Sequence, residues 1–283
     1  MISNIQEKDK IDLPTRSIIE TVKGYLRLIN QGFGLKDKIT ILEYFLSTPL
    51  HLIYRKLSIP YDHKFARDVK LKNEMGIYNC GNGVSSVWSC NDFAEKHTRK
   101  FFEIDDGTFI DIGACIGKYS VFIARRLKEK GNVIAIEANE DNFKLLDLNI
   151  KLNNLNNAYI INAACCEKDG FINFYKPKNW YESSTSGSLE KDNNSIEIKS
   201  EAVKVDSIIK KFKIAKVNLI KIDVEEGAVD VLKGALETIK KHHPKIIFEI
   251  LSKSKLKIAT ELLEKYNYKI DKIDDVNYFA YPK

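Results

Sequence analysis

Four residues near the middle of the chain have the types and the spacing to bind an adenine nucleoside cofactor. Asp111, Gly113 and Gly117 lie in the segment TFIDIGACIGK, where an apolar run leads into a glycine turn and then into apolar residues at helical spacing. A strand, turn and helix of this kind directs backbone N–H groups and a helix N-terminus at a ligand. Glu137 ends the next apolar run, NVIAIE, 20 residues after Gly117, where a nucleotide-binding βαβ unit places the acid that binds the ribose hydroxyls.

The spacing of the glycines distinguishes between cofactors. Nicotinamide and flavin sites use G-x-G-x-x-G so that the pyrophosphate can approach the helix. Here Ala114 and Cys115 follow Gly113, and the next glycine is Gly117. The turn therefore favours a cofactor without phosphate, whose cationic amino-acid portion can lie beside Asp111, and it predicts S-adenosylmethionine. A purely structural strand-to-helix turn is the alternative for the glycines taken alone.

Composition and charge exclude several classes of protein. The 283 residues are 44% hydrophobic and 30% charged, which is ordinary for a globular chain and allows one large core with an accessory region. The net charge of +6 includes no basic tract, so no nucleic-acid partner is expected. No apolar stretch predicts a signal peptide or a membrane span. Five cysteines without a C-x-x-C pair predict neither a zinc site nor disulfides, and they fit the reducing cytoplasm.

The chain divides by its periodicity into two regions. Residues 1–68 predict a helical accessory region, and residues 69–283 predict an α/β domain. Within the first region, residues 39–57 (ITILEYFLSTPLHLIYRKL) are richly apolar. They predict helices packed on the core or on a second copy of the chain, and the alternative is a peripheral contact with a membrane surface.

Carboxylates follow two later strands of the predicted sheet. Asp223 and Glu225 come at the end of the run VNLIKID, and Glu249 lies near the end of KIIFEI. Ligands of open α/β sheets bind outside the carboxyl ends of the strands, so these acids should face the same space as Gly113. The polar segment 176–200, with Trp180 among its residues, predicts a loop that covers the substrate.

Several segments together resemble the FkbM-type S-adenosylmethionine-dependent methyltransferases. They are FIDIGACIGKYS, VIAIEANEDNFKLLDLNIKLN, INAACCEKDGFINFY, VNLIKIDVE and VLKGALETIKKHHPKIIFEI. The resemblance covers about residues 69–250. It implies the class I methyltransferase sheet, which is Rossmann-like and mostly parallel with an antiparallel last strand in a final hairpin. It also implies methyl transfer to hydroxyl oxygens of small molecules or sugars.

The resemblance assigns a set of residues to the cofactor. Those expected at the methionine portion are Asp111, Gly113 and Gly117; Glu137 is expected at the ribose, and Asn139 and Ala163 at the adenine. Ala114, Ala138 and Asp223 are further candidates for cofactor binding. The sequence departs from the family pattern Asp-Val-Glu-Gly-Ala-Glu after Val224, because Glu226 stands in the position of the glycine.

The expected reaction is an in-line methyl transfer to a hydroxyl group of a sugar, glycan or small metabolite. The protein aligns the acceptor oxygen and removes its proton, and Asp223, Glu225 and Glu249 are the candidate bases. No metal is expected, because no His or Cys spacing accompanies these acids. The alternatives are an RNA methyltransferase and a cofactor-binding protein without catalysis.

Overall fold

The computed structural model describes residues 17–56, 68–81, 84–93, 95–177, 195–224 and 227–283. Its helices are α1 (Ile18–Gln31), α2 (Leu35–Lys56), α3 (Val84–Ser89), α4 (Lys96–Arg99), α5 (Lys118–Leu127), α6 (Glu140–Leu152), α7 (Val205–Lys211), α8 (Ala228–Lys233), α9 (Leu236–His242) and α10 (Lys253–Glu264). Its strands are β1 (Lys70–Asn73), β2 (Gly76–Asn79), β3 (Gly107–Ile112), β4 (Gly131–Ile136), β5 (Ala158–Ile161), β6 (Ala164–Cys165), β7 (Gly170–Pro177), β8 (Ser195–Val203), β9 (Val217–Ile222), β10 (Lys245–Glu249), β11 (Tyr268–Lys272) and β12 (Asn277–Pro282).

A seven-stranded sheet forms the centre of the molecule, in the order β11-β12-β10-β9-β3-β4-β5. The five strands from β10 to β5 pair in parallel, whereas β12 runs antiparallel to both β10 and β11. This topology confirms the predicted α/β class I methyltransferase sheet with its antiparallel hairpin strand. The chain leaves β3 towards β4 and later returns to the other side of β3 with β9, so the strand order reverses between β3 and β9. Such a reversal opens a crevice at the carboxyl ends of the strands.

Side chains of the central strands alternate between two cores, one on each face of the sheet. Phe109 and Leu219 belong to the core that includes α5, and Ile110 and Ile220 belong to the opposite core. The strands are buried on both faces, as expected for a parallel sheet covered by helices.

The two N-terminal helices share a core with the main sheet. Tyr25 of α1 and Tyr44 of α2 pack in the same apolar cluster as Phe109. The buried Asp37 accepts hydrogen bonds of 2.9 Å from the backbone N–H groups of Gly34 and Lys70, and it thereby fixes α2 to β1. The division of the chain at residue 68 stays a prediction, and residues 57–67 lie outside the described residues.

A small sheet of order β6-β8-β7 flanks the main one. Strands β7 and β8 form a long antiparallel pair that leads into and out of residues 178–194. The predicted substrate-covering loop, with Trp180, lies largely outside the described residues.

Within the described ranges, no helix has the length and apolarity that crossing a bilayer requires.

Candidate active site

Three of the residues predicted to bind the cofactor lie at the carboxyl ends of three neighbouring strands. Gly113 follows β3, Glu137 follows β4 and Asp223 follows β9. We refer to the space bordered by these three residues as the crevice. It lies at the point where the strand order reverses.

The turn after β3 is held by backbone contacts with both neighbouring strands. The N–H groups of Gly113 and Ala114 donate to the carbonyl of Ile136, each at 3.0 Å. Gly113 has a φ of 77°, and a Cβ at this position would lie 1.8 Å from the carbonyl oxygen of Asp223. Both the left-handed conformation and the close approach of another backbone therefore require glycine here.

Gly117 is required at the other end of the turn. It precedes α5 with a φ of 92°, and its N–H donates to the carbonyl of Ala114 at 2.8 Å. A Cβ at this position would lie 2.7 Å from Cδ1 of Leu146, a side-chain atom of α6. The two glycines thus shape a compact turn between β3 and α5.

Asp111 is a buried carboxylate with one unused oxygen. Its Oδ2 accepts a hydrogen bond of 2.6 Å from the hydroxyl of Ser120, whereas Oδ1 is buried without a partner among the described residues. Burial raises the pKa of Asp111, although the Lys221 ammonium and the Ser120 hydrogen bond oppose that rise. A buried acceptor without a partner is costly, so Oδ1 is suited to a ligand that donates to it.

Lys221 is a candidate functional residue that sequence reasoning missed. It pairs in register with Asp111 across β3 and β9, and its Nζ contacts Oδ2 of Asp223 at 2.6 Å. Burial opposes the ammonium form, but Asp223, Asp111 and Glu95 outweigh it and raise the pKa of Lys221. The sequence did contain a signal for this contact. Lys221 lies two residues before Asp223 in the apolar run VNLIKID, and residues at this spacing lie on the same face of a strand.

Glu95 is a second residue that sequence reasoning missed, and it comes from the segment before β3. Its Oε2 accepts hydrogen bonds from Nζ of Lys118 at 2.8 Å and from the hydroxyl of Tyr119 at 3.1 Å. Partial burial raises the pKa of Glu95, but Lys118, Lys221 and these hydrogen bonds outweigh it, and the net pKa is lowered. Glu95 also has a φ of 54°, an uncommon conformation for a residue with a side chain. No sequence pattern marks it.

The Tyr119 ring connects Glu95 with Lys221. The Nζ atoms of Lys118 and Lys221 lie 5.1 and 5.3 Å from the ring centroid, within the range of cation–π attraction. The ring also stacks on Phe102 at a centroid distance of 4.1 Å. These contacts bring two ammonium groups and two carboxylates, those of Glu95 and Asp223, around one aromatic side chain beside the crevice.

Glu137 is held by backbone N–H groups on both carboxylate oxygens. Its Oε2 accepts from the N–H of Cys115 and its Oε1 from the N–H of Asn139, each at 2.8 Å. Burial raises the pKa of Glu137 to about 7, and the hydrogen bonds from Asn139, Cys115 and Asn142 oppose the rise.

The predicted adenine-side residues continue from Glu137. Asn139 caps α6 by accepting a hydrogen bond of 2.9 Å from the N–H of Asp141. The Asn162 amide donates to the carbonyl of Glu137 at 2.8 Å and to that of Ala138 at 3.3 Å. Ala163, next in the chain, is buried. All of the predicted cofactor residues therefore lie along the ends of β3, β4, β5 and β9.

The three residues predicted as bases differ in where the structure places them. Asp223 borders the crevice and its side chain is 35% exposed. Glu249 ends β10, one position beyond the Phe248–Ile222 pair that joins β10 to β9. Glu225 lies outside the described residues. Among the residues that the structure describes, no cluster of three or more His, Cys, Asp or Glu side chains could hold a metal ion.

Comparison with known proteins gives a family match in this part of the chain. A family model described as "Methyltransferase FkbM domain" matches residues 111–270, from the buried aspartate of β3 to β11. Among curated proteins, none is significantly similar to this chain.

Solved structures with a comparable arrangement share little sequence with this chain. An FkbM methyltransferase from Methylobacillus flagellatus KT is 15% identical with a TM-score of 0.47; the match covers 93% of this chain and 59% of that one. TYW2 from M. jannaschii, solved in complex with AdoMet, is 16% identical with a TM-score of 0.44, over 78% of this chain and 86% of that one. Aeropyrum pernix fibrillarin, solved with natively bound S-adenosyl-L-methionine, is 10% identical with a TM-score of 0.39, over 65% and 70% of the two chains. This chain thus spans 59% of the length of the Methylobacillus protein.

Gly113→Ala should destabilise the protein more than Gly170→Ala. Both glycines have a positive φ, but a Cβ at Gly170 meets nothing within 4 Å, whereas one at Gly113 collides with the backbone of Asp223. Backbone strain alone costs about 1–3 kcal/mol. We expect denaturant unfolding to give that loss for Gly170→Ala and a larger one for Gly113→Ala. Equal losses would show that the ends of β3 and β9 separate without cost.

Proposed function

The chain belongs to the FkbM methyltransferase domain family, and we propose that it is an S-adenosylmethionine-dependent methyltransferase acting on a hydroxyl group of a sugar, glycan or small metabolite. The match confirms the family recognised from the sequence, with S-adenosylmethionine as its cofactor. The main structural support for the proposal is the buried Oδ1 of Asp111. This atom has no partner among the described residues and lies beside the glycine turn.

Asp111 suits the ammonium group of the cofactor's methionine portion. A charged donor would satisfy the unused Oδ1 and offset the burial that raises the pKa of Asp111. The charged side chains around the crevice also favour a ligand with a positive charge. Glu95, Asp111 and Asp223 carry three negative charges when ionised, against two positive charges on Lys118 and Lys221. One negative charge is left uncompensated, which favours binding of a sulfonium cation.

Glu137 suits a hydroxyl group such as one of a ribose. A carboxylate offers about four acceptor sites, and the N–H groups of Cys115 and Asn139 and the side chain of Asn142 use three of them. The remaining lone pair can accept from a ribose hydroxyl. Because backbone atoms fix both oxygens, Glu137 is oriented before a ligand arrives.

Asp223 is the proposed base. When bound, S-adenosylmethionine supplies an electrophilic methyl group, so the protein's own task is to position the acceptor and take its proton. Asp223 is partly exposed at the crevice, and its Oδ2 pairs with the buried Lys221 ammonium at 2.6 Å. Glu249, at the end of the neighbouring strand, and Glu95, 36% exposed on the other side of Tyr119, can accept from further hydroxyls of the acceptor. Several carboxylates of this kind suit a polyhydroxylated molecule.

We also propose that the protein works in the cytoplasm. All five cysteines are free thiols, and four of them are buried. Free thiols without disulfides among the described residues support a reducing compartment.

Asp111→Asn should weaken binding of S-adenosylhomocysteine at least tenfold, because the amide removes the charge that faces the ligand's ammonium group. The substitution preserves the shape of the side chain and its Ser120 partner. Calorimetric titration measures the affinity, with Asp106→Asn as the matched control. Asp106 is an exposed carboxylate just before β3, bonded to Lys216 and Asn218. Unchanged affinity in Asp111→Asn would refute the assignment, and binding of NAD instead would refute the cofactor.

Affinity for S-adenosylhomocysteine should fall as the pH is lowered from 8 to 6. The pKa of Glu137 is about 7 in the free protein, and only the ionised form keeps a lone pair that can accept from a ribose hydroxyl. Binding therefore expels a proton below pH 7, and the dissociation constant rises towards tenfold per pH unit there. In Glu137→Gln, which cannot ionise, we expect weaker binding at pH 8 and a flatter profile. A wild-type profile as flat as that of the variant would contradict this role.

Asp223→Asn should reduce turnover by about 10²–10⁴-fold, the usual contribution of a general base, while binding of S-adenosylhomocysteine changes much less. Turnover is followed as formation of S-adenosylhomocysteine with the best acceptor from a panel of sugars, polyols and hydroxylated metabolites. An RNA oligonucleotide serves as the comparison acceptor. Glu95→Gln should raise the acceptor's KM more than it lowers kcat. Full turnover in Asp223→Asn would exclude Asp223 as the base, and transfer to RNA alone would exclude the proposed acceptor class.

A further inference from the structure

The second helix of the chain is apolar on two opposite sides. Its buried side, with Ile41 and Tyr44, packs on the core. Exposed apolar residues recur along it at intervals of four, three and four: Leu35, Ile39, Leu42 and Leu46. At 100° per residue this spacing forms a single stripe, and the stripe lies opposite Tyr44. Leu35 and Leu46, at its two ends, are 76% and 68% exposed.

The first helix carries a matching exposed pair. Its buried residues are Gly24, Tyr25 and Leu28. Ile19 and Leu26, two turns apart on the side away from Leu28, are 66% and 56% exposed. Both helices pack on the same core, and each exposed stripe lies opposite its helix's buried side, so both stripes face away from that core. We call these six exposed residues, Ile19, Leu26, Leu35, Ile39, Leu42 and Leu46, the outer face.

Cations border the outer face. Lys36 and Lys38 follow Leu35 by one and three residues, so they lie on either side of the α2 stripe. Lys23 and Arg27 are exposed on α1. The acids are fewer. Asp37 is buried and bonds to backbone N–H groups, and Glu20 bonds to the backbone of Ser17 in a capping box. Glu43 is half-buried, and its Oε2 has no hydrogen-bond partner among the described residues.

We propose that the outer face of α1 and α2 binds the surface of a membrane that contains anionic phospholipids. An apolar stripe between lysines is the pattern of a helix that lies in the plane of the interface, with its apolar side among the acyl chains and its cations at the phosphates. The charge also favours lipid over a second copy of the chain, because a symmetric dimer would bring the same cations together across its interface.

We expect the protein to bind anionic vesicles, and we expect this binding to depend both on the apolar stripe and on the lysines that border it. The full chain is sedimented with vesicles of phosphatidylcholine alone or mixed with phosphatidylglycerol. We expect binding to the mixed vesicles and little to phosphatidylcholine alone. The double variant Leu42→Ser, Leu46→Ser should reduce the bound fraction at least tenfold. The double variant Lys36→Glu, Lys38→Glu should reduce it comparably, and the wild-type binding should weaken as salt is raised.

The matched control is Ile258→Ser, which removes an exposed apolar side chain from α10 and should bind as wild type does. Thermal unfolding of each variant verifies that the fold is intact, as expected for exposed positions. Absence of wild-type binding to mixed vesicles, or binding that the leucine variant retains, would overturn the proposal. So would a wild-type dimer in light scattering that the leucine variant converts to monomer without any vesicle binding. None of these readouts requires methyl transfer, so this inference can fail while the proposed activity stands.

Discussion

A lysine and an aspartate occupy paired positions on two adjacent central strands, and much of the molecule is arranged around that fact. Asp111 and Lys221 are both buried, and ionised groups in such surroundings must be compensated by opposite charge or hydrogen bonds. Ser120 compensates one oxygen of Asp111, and Asp223 forms an ion pair with Lys221. The remaining acceptor, Oδ1 of Asp111, is left to the crevice. The described residues therefore leave one buried acceptor of this pair without a partner.

The same balance ties the N-terminal part of the chain to the sheet. Glu95 precedes β3, yet it bonds to Lys118 and Tyr119 at the start of α5 and interacts electrostatically with Lys221. Trp88, slightly earlier in the chain, packs edge-on against Tyr25 of α1 at a centroid distance of 5.0 Å. The segment between the first helices and β3 therefore contacts α1 at one end and the crevice at the other. The accessory helices and the proposed catalytic centre are parts of one packed structure.

The sequence was sufficient to predict features that depend on local patterns. The β3 turn was readable because left-handed backbone requires glycine at Gly113 and Gly117, and Glu137 was found through its distance from that turn. Lys221 was missed because its partner, Asp111, is more than a hundred residues away and meets it only through the register of β3 and β9. Glu95 was missed because its role depends on the packing of an irregular segment, for which no periodicity exists. Carboxylates after strands were simple to list from the sequence, but the ion pair with the buried Lys221, which supports Asp223 as the proposed base, depends on the fold.

The position of β12 determines when the seven-stranded sheet can be completed during synthesis. This strand, residues 277–282, lies between β10 and β11 and pairs with both, although both precede it in the chain. Until it emerges from the ribosome, β10 is an open edge, and such edges are prone to pairing with other chains. Strands β3, β4 and β9, at whose ends the crevice lies, are already complete by then. The strands that border the crevice are therefore synthesised before β10 gains its antiparallel neighbour.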